Sequence, residues 1–174
     1  MGRQPQVLLI EDEALIGMLI EDMLTDLGCQ VTDTVGRLEP ALQAATEGAF
    51  DFAMRYVGER KQFGQAIASF QLIQGMIADC KTEALAARAL TLETARKRDA
   101  GANVTLEAAA AKYFASEMVG RVADKAVQIF GGAGYVADHG IERLYRDVRI
   151  FRIYEGTSQI QQVVIARETL KRGG

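Results

Sequence analysis

The stretch Ile-Tyr-Glu-Gly-Thr-Ser-Gln-Ile-Gln, residues 153–161, separates two helical patterns near the C-terminus of the chain. Thr157 precedes a periodic apolar run at residues 160, 163 and 164, which predicts an N-cap and a new helix. Glu155 is therefore expected on a turn just before a helix N-terminus. A carboxylate that projects from such a corner into a cleft can act as a general base. An ordinary solvated turn has the same spacing, so the pattern alone leaves both interpretations open.

The same stretch resembles a signature near the C-terminus of acyl-CoA dehydrogenases. Two earlier blocks resemble the family as well: Glu-Arg-Lys-Gln-Phe-Gly at residues 59–64 and Gln-Ile-Phe-Gly-Gly-Ala-Gly-Tyr at residues 128–135. The three blocks occur in the family's order, so residues 53–170 are identified as resembling its C-terminal helical domain. In many members a glutamate removes the α-proton of an acyl-CoA thioester while FAD accepts a hydride from the β-carbon.

This resemblance implies roles for the matching positions. Glu155 would be the catalytic base. The positions that would contact FAD are Arg60, Gln62, Phe63, Gln128, Gly131, Gly132, Thr157 and Gln159. In the family, the glycine-rich loop that matches residues 131–134 approaches a flavin bound mainly by a neighbouring subunit. Taken by itself, a lone glycine cluster is more often a helix stop than a phosphate site.

The N-terminal residues follow a different pattern. Residues 7–10 form a short apolar run that ends in acidic residues, as buried parallel strands do. Residues 16–27 carry apolar side chains on one helical face, and residues 29–35 alternate loosely like a second strand. Strand, helix and strand within about 30 residues predict a βαβ unit.

Residues 5–52 resemble the first half of a response-regulator receiver domain. In that family an acidic pair, matched here by Glu11 and Asp12, helps to hold the magnesium ion used in aspartyl phosphorylation. The phosphoacceptor aspartate would be expected at position 56, which holds Tyr56. Acyl phosphate chemistry then has no nucleophilic carboxylate, so we expect the acidic pair to be a vestigial metal site or a charged strand end.

Charge divides the chain in the same way. Residues 1–52 hold two basic and ten acidic residues, a net charge of −8, whereas residues 53–174 hold 18 basic and 13 acidic residues, a net charge of +5. Acyl-CoA dehydrogenases carry a helical domain and a β-domain before the helix that enters at residue 53. We therefore expect a chimera of a receiver-like βαβ fragment and a mainly α, up-and-down helical bundle.

Several helices are predicted within the bundle. Alanines favour one helix over residues 38–59 that crosses the junction, with Gly48 as its weakest point. Apolar residues from position 70 to position 87 follow a bundle seam, and Gly101 is expected to end that helix. A further helix should begin near Thr105, and residues 141–153 form one amphipathic stretch.

Composition excludes several classes of function. No apolar run approaches the roughly 20 residues that span a bilayer, so we expect a cytoplasmic protein without membrane contact. Two cysteines, Cys29 and Cys80, and one histidine, His139, make neither a disulfide framework nor a zinc site. The basic residues are not interleaved with aromatic residues, which disfavours nucleic-acid binding.

Three functional hypotheses follow. The first is a FAD-dependent acyl-CoA dehydrogenase, the second a phosphorelay receiver, and the third a catalytically inert helical assembly. We expect dehydrogenase ancestry with little or no turnover and with weak or absent FAD binding, because parts of the family's pocket have no counterpart here. Acyl-CoA would bind only where the site is completed. The expected partner is the chain itself, as a homodimer or homotetramer, since two strands alone are marginal in water.

Overall fold

A computed structural model describes residues 6–10, 20–21, 23–27, 29–35 and 38–173. The contacts divide the chain into two compact units, residues 1–41 and residues 42–174. The first unit holds two strands, and the second holds most of the helices.

The first unit contains strand β1 (Gln6–Ile10) and strand β2 (Gln30–Val35), which pair in parallel. Residues 20–21 and 23–26, between the strands, are helical. The sequence predicted both strands and the helical residues between them. A two-stranded parallel sheet occurs in many folds, however, so the described residues do not identify a receiver domain. Glu11 and Asp12, the predicted magnesium pair, lie outside the described residues.

Helix α1 spans Leu38–Glu59 without a break, which confirms the helix predicted from its alanines. Residues 49–53, which a receiver would use as a strand, lie within this helix. Ala45, Ala49, Ala53 and Val57 are all buried and follow one another at every fourth position. This narrow face of small side chains packs the helix into the bundle.

A short hairpin follows α1. Strand β3 (Lys61–Gln62) and strand β4 (Gln65–Ala66) pair antiparallel across a two-residue loop. Both loop residues have positive φ, +50° at Phe63 and +80° at Gly64, as a type I′ turn requires. The Phe63 side chain is 91% exposed at the tip of the hairpin.

Four further helices complete the second unit: α2 (Gln71–Asp99), α3 (Thr105–Phe130), α4 (Ile141–Asp147) and α5 (Ser158–Gly173). Helix α3 contacts both α2 and α5. Lys125 near the end of α3 pairs with Asp79 near the start of α2, and Glu107 at the start of α3 pairs with Arg172 at the end of α5. Both neighbours therefore run antiparallel to α3, as an up-and-down bundle requires.

The core of the bundle follows α3. Most of the buried residues on this helix are small, so the backbones of neighbouring helices can approach closely. The buried residues of α3 are Ala109, Ala111, Ala115, Ser116, Met118, Val119, Val122, Ala123, Ala126, Ile129 and Phe130. Cys80 of α2 is also buried, as expected for a core residue, and burial raises the pKa of its thiol.

The sequence predicted the end of α2 correctly, but it did not predict where α4 ends. Gly101, with φ +80°, follows α2 as expected. The predicted amphipathic stretch over residues 141–153 is not one helix, however, because α4 ends at Asp147 and a 3-10 helix continues over Val148–Arg152. Val148 and Phe151 are buried in this 3-10 segment, which contacts α3. Packing against α3 therefore decides the local geometry, and local periodicity does not contain that information.

Two structural findings concern function directly. Across the described ranges, no helix combines the length and the apolar character needed to cross a membrane. The same ranges contain no cluster of three or more histidine, cysteine or acidic side chains placed to hold a metal ion.

Candidate functional site

Glu155 lies on the turn between the 3-10 helix and α5, and its backbone is in the left-handed region. Its φ is +54°, and Gly156 follows with φ +81°. A left-handed conformation costs a residue with a Cβ about 1–2 kcal/mol, so neighbouring groups have to hold it in place. Glu155 is exposed. The candidate base therefore projects outward from a strained backbone.

Two side chains hold the carbonyl groups of this turn. Lys112 of α3 donates from Nζ to the carbonyl oxygen of Phe151 at 2.9 Å and to that of Gly156 at 2.8 Å. Gln161 of α5 donates from Nε2 to the carbonyl oxygens of Glu155 at 3.3 Å and Gly156 at 3.2 Å. A Cβ at position 156 would lie 2.7 Å from this Nε2 atom, so the close approach favours glycine.

Glu117 of α3 ties both flanks of the turn to the same helix. Its carboxylate accepts a hydrogen bond from Nε of Arg152 at 2.7 Å and forms an ion pair with Nη2 of the same residue at 2.6 Å. The Oγ atom of the buried Ser158 donates to Glu117 at 2.7 Å. Burial acts to raise the pKa of Glu117, but the bonds from Arg152 and Ser158 outweigh it and the pKa is lowered. Glu117 thus remains a carboxylate that links the residue before the turn to the first residue of α5.

Thr157 is the N-cap residue of α5, as the sequence predicted. Its Oγ1 atom accepts a hydrogen bond from the backbone N–H of Ile160 at 3.3 Å, which is an N-cap interaction. Gln159 in the first turn is exposed. Thr157 and Gln159, two of the predicted cofactor residues, therefore lie within four residues of Glu155 on the same side of the bundle.

Tyr154 precedes the candidate base and is a poor proton acceptor. Its hydroxyl oxygen is buried and has no hydrogen-bond partner within the described part of the chain. Burial, with a smaller effect from Glu155, raises the pKa of Tyr154 to about 12. Its phenol is therefore protonated at neutral pH, and Glu155 is the residue of this pair that can accept a proton.

A second group of predicted site residues lies at the other end of α3. The ring of Tyr56 in α1 stacks on Phe130, the last residue of α3. Arg60 then donates its backbone N–H to the carbonyl oxygen of Tyr56, which places the start of the hairpin close to the end of α3. The side chains of Arg60 and Gln62 approach to 2.6 Å, with the Gln62 amide turned so that its oxygen accepts. The predicted residues of the hairpin and the glycine-rich loop thus share one end of the bundle.

The length of α3 separates the two groups. With a rise of about 1.5 Å per residue, Phe130 lies about 27 Å along the axis from Lys112 and about 20 Å from Glu117. One chain therefore brings together Glu155, Thr157 and Gln159, and separately brings together Arg60, Gln62, Phe63, Gln128, Gly131 and Gly132. The structure does not place all the predicted residues in one pocket of a single chain.

The second group fits a phosphate-bearing cofactor. Gly131 and Gly132 are exposed, and a Cβ built on either would have no atom within 4 Å. Their backbone is therefore open to an approaching ligand. Arg60 and Gln128 are also exposed at this end and supply a guanidinium and an amide. A guanidinium and an amide can each donate hydrogen bonds to phosphate oxygens.

An open groove of about 450 Å³ lies along α3, but it does not contain the candidate base. It includes both partners of the Glu117–Arg152 ion pair, and several of its cations already pair with carboxylates. The groove is lined by Glu117, Gly120, Arg121, Asp124, Lys125, Tyr145, Val148, Arg149 and Arg152.

Comparison with known proteins identifies the bundle. The family described as "Acyl-CoA dehydrogenase, C-terminal domain" matches residues 34–170. The chain belongs to the acyl-CoA dehydrogenase family. The matched range begins before residue 53, where the sequence motifs had suggested the start of this domain. The comparisons give no support to a receiver segment or to a chimera.

Three relatives of this acyl-CoA dehydrogenase domain illustrate the match. Subunit CarC of the caffeyl-CoA reductase–Etf complex from Acetobacterium woodii is 50% identical over 140 residues, which cover 79% of this chain and 37% of CarC. The butyryl-CoA dehydrogenase structure from Megasphaera elsdenii has a TM-score of 0.72 and 39% identity, over 76% of this chain and 34% of that one. PigA in its FAD complex has a TM-score of 0.73 and 27% identity, over 89% of this chain and 38% of that one.

The chain thus spans about a third of the length of the relatives it matches. One relative is described as an FAD complex, which agrees with the cofactor that the sequence motifs imply for the family.

Sequence reasoning did not find the residues that hold the turn: Lys112, Glu117, Arg152, Ser158 and Gln161. Lys112 did carry a signal, because it follows four consecutive alanines at residues 108–111 and is the first charged residue after them. A lysine side chain that follows a run of alanines on a helix indicates that a polar group lies near its ammonium. The identity of that partner, 44 residues away at Gly156, could not be read from spacing.

Proposed function

We propose that this chain forms the base-bearing part of a FAD-dependent acyl-CoA dehydrogenase, with Glu155 as the catalytic base. The observation that carries the proposal is the backbone of Glu155, which is left-handed and held through its own carbonyl oxygen and that of Gly156. Strain of this kind persists only where the surroundings impose it, and it is concentrated at functional sites. An ordinary solvated turn does not require such support.

In the proposed reaction the Glu155 carboxylate accepts the α-proton of an acyl-CoA thioester, and the electrons of that C–H bond form the α,β-double bond. FAD, when bound, supplies the acceptor for the hydride that leaves the β-carbon. In the reductive direction, which the name caffeyl-CoA reductase gives for one relative, Glu155 returns the proton to the α-carbon. Ile153 and Ile160, which are 50% and 54% exposed near Glu155, supply apolar surface for an acyl chain.

The cofactor residues at the hairpin and glycine-rich loop would serve a different copy of the chain. They lie about 20–27 Å from the Glu155 turn along α3, so one flavin site that uses both groups draws on two copies. In such an arrangement a partner copy would cover Phe63 at the hairpin tip, an aromatic ring that is 91% exposed. The proposed partner is therefore the chain itself, as a homodimer or homotetramer.

For the chain on its own we propose weak FAD binding and little turnover. Glu155 is exposed, and catalysis of proton abstraction depends on exclusion of water and on a fixed position for the thioester. In this proposal the chain supplies the base and the flavin-contacting groups, and the groove along α3 does not include Glu155.

The base assignment is tested by the exchange of the α-protons of butyryl-CoA with D2O, followed by mass spectrometry in the presence of excess FAD. We expect slow exchange that E155Q abolishes and that E168Q, a matched change on α5, leaves unaltered. Equal exchange by the unaltered chain and E155Q would instead favour an inert helical assembly. Retention of FAD after gel filtration tests the cofactor separately, and a stoichiometric yellow complex would contradict weak binding.

For residues 5–33, which precede the range that the acyl-CoA dehydrogenase family matches, we propose only a receiver-like origin. The sequence resemblance and the parallel pairing of β1 and β2 support this origin. We do not extend it to phosphoryl transfer, because Tyr56 occupies the expected phosphoacceptor position within helix α1.

A further inference from the structure

Two charged residues of α3, Lys112 and Glu117, hold the Glu155 turn at both flanks, although neither is part of a known signature in the sequence. Lys112 bridges the carbonyl oxygens of Phe151 and Gly156, and Glu117 bridges Arg152 and Ser158. All four contacts join residues at least 35 positions apart in the sequence. The turn from residue 151 to residue 158 is therefore fixed to one rigid helix at both ends.

Lys112 has the more direct relation to the candidate base. Its ammonium is bonded to the carbonyl oxygen next to Glu155, and its charge also interacts with the Glu155 carboxylate. Burial lowers the pKa of Lys112, and the charges of Glu117 and Glu155 partly oppose this effect. The ammonium thus has two carbonyl partners in the turn and two carboxylates nearby.

We infer that Lys112 is a positioning residue for Glu155: by fixing the Phe151 and Gly156 carbonyl groups, it maintains the left-handed backbone that directs the Glu155 carboxylate outward. This inference rests on the proposed function, because the direction of the Glu155 carboxylate matters for catalysis only if Glu155 is the base. The positioning itself is a property of the chain and can be measured without cofactor or substrate.

Lys125 offers a matched control on the same helix. It is also a partly buried lysine, and its Nζ pairs with Asp79 and Glu83 of α2, away from the turn. K112M and K125M therefore remove the same charge from the same helix, and both keep most of the apolar side-chain volume. Only K112M removes bonds to the Glu155 turn.

The first measurement is amide hydrogen exchange at Ile153 and Tyr154, whose N–H groups both donate to the carbonyl oxygen of Ile150. We expect K112M to accelerate exchange at these amides about tenfold, as the loss of charged hydrogen bonds predicts, while K125M changes it less than about twofold. Equal acceleration in both variants, or acceleration spread evenly over the bundle, would show a general effect on stability and overturn the inference.

The second measurement follows the Glu155 side-chain carboxyl carbon by NMR, with the signal assigned through its loss in E155Q. We expect this signal to shift in K112M and to stay in place in K125M. An unmoved signal in K112M would show that Lys112 holds the backbone without directing the carboxylate, and the inference would fail. If K112M does not fold, K112Q, which keeps one amide donor, is judged by the same two readouts.

The K112M measurements and the E155Q exchange test can succeed or fail independently of each other. If E155Q does not affect proton exchange in butyryl-CoA, the base assignment fails even where Lys112 is shown to position the turn. If the turn is unaffected by K112M, positioning by Lys112 fails even where Glu155 is shown to be the base.

Discussion

The ring of Tyr56 lies against the ring of Phe130, with centroids 3.9 Å apart and an angle of 14° between the planes. The Tyr56 hydroxyl also donates to the carbonyl oxygen of Phe130 at 3.4 Å. His139 contacts both rings edge-on, at 6.1 Å and 5.8 Å. This cluster joins α1 to the end of α3 and supports the glycine-rich loop that follows.

The stacking predicts how substitutions at position 56 affect stability. Y56L should lower the free energy of unfolding by about 1–3 kcal/mol, because it removes the aromatic contact and a partly buried surface. Y56F should cost less than about 1 kcal/mol, since the hydrogen bond it removes is long. Urea denaturation followed by circular dichroism measures both, and equal losses in the two variants would contradict the dominant role of stacking.

Phosphorylation by acetyl phosphate and Mg²⁺ is expected to add no phosphoryl group to the chain. Position 56 lies within helix α1 and holds a stacked tyrosine, so the expected acceptor carboxylate is absent from that position. Y56D should also remain unlabelled, because a helical position does not reproduce the end of a receiver strand. Intact-mass measurement decides the point, and a gain of one phosphoryl group in either protein would support the receiver hypothesis.

Two glycines of the loop after α3 should respond very differently to alanine. At Gly134 a Cβ would lie 2.5 Å from the carbonyl oxygen of Val127 and 2.9 Å from the Cβ of Phe130. Since one of these contacts is to backbone, G134A should lose more than about 2 kcal/mol of unfolding free energy. G132A meets no atom within 4 Å and should change stability by less than about 0.5 kcal/mol. Similar denaturation midpoints for the two variants would contradict this packing.

The ion pair between Glu107 and Arg172 should make stability depend on acid pH. Arg172 forms two hydrogen bonds to Glu107, at 3.1 Å and 3.2 Å, and they lower the pKa of that carboxyl to about 2. Because the folded-state pKa lies below the unfolded value, the pair stabilises the fold above about pH 5, and this contribution is lost as the pH falls towards 2. The urea midpoints of the unaltered chain and E107Q should therefore differ above pH 5 and converge below it. A difference that does not vary between pH 6 and pH 2.5 would contradict the shift.

Self-association should depend on the hairpin tip. The chain is expected to sediment at micromolar concentration as a species heavier than its 19.0 kDa monomer. F63S should shift this equilibrium towards the monomer by about tenfold, because it removes a large exposed aromatic surface. L170S, which replaces an apolar residue that is 78% exposed at the far end of α5, serves as the matched control. A well-folded monomer for the unaltered chain would contradict the prediction.

Local sequence signals predicted much of this fold. The alanines of residues 41–53 predicted α1, Gly101 predicted the end of α2, and Thr157 predicted the start of α5. Each of these depends on backbone preferences within a few residues. Thr105 likewise predicted the start of α3, where Asn103 accepts hydrogen bonds from both the backbone N–H and the hydroxyl of Thr105.

The support of the Glu155 turn could not be predicted in the same way. Glutamate has no preference for positive φ, so its sequence position gives no indication of a left-handed backbone. The contacts that hold the turn include the hydrogen bond from Lys112 to the carbonyl oxygen of Gly156, which lies 44 residues away in the sequence. Motif resemblance identified the candidate base, whereas the charges that hold it became visible only in three dimensions.

The length of α3 has a genetic consequence. If the base and the flavin-contacting hairpin of one site come from different copies, a copy defective in Glu155 can still lend its intact hairpin to a neighbour. A gene encoding E155Q and a second encoding a hairpin variant would then complement each other when expressed together, because mixed assemblies contain sites with both intact halves. Neither allele alone could form such a site, and rescue would be limited to the fraction of subunit pairings that combine the two.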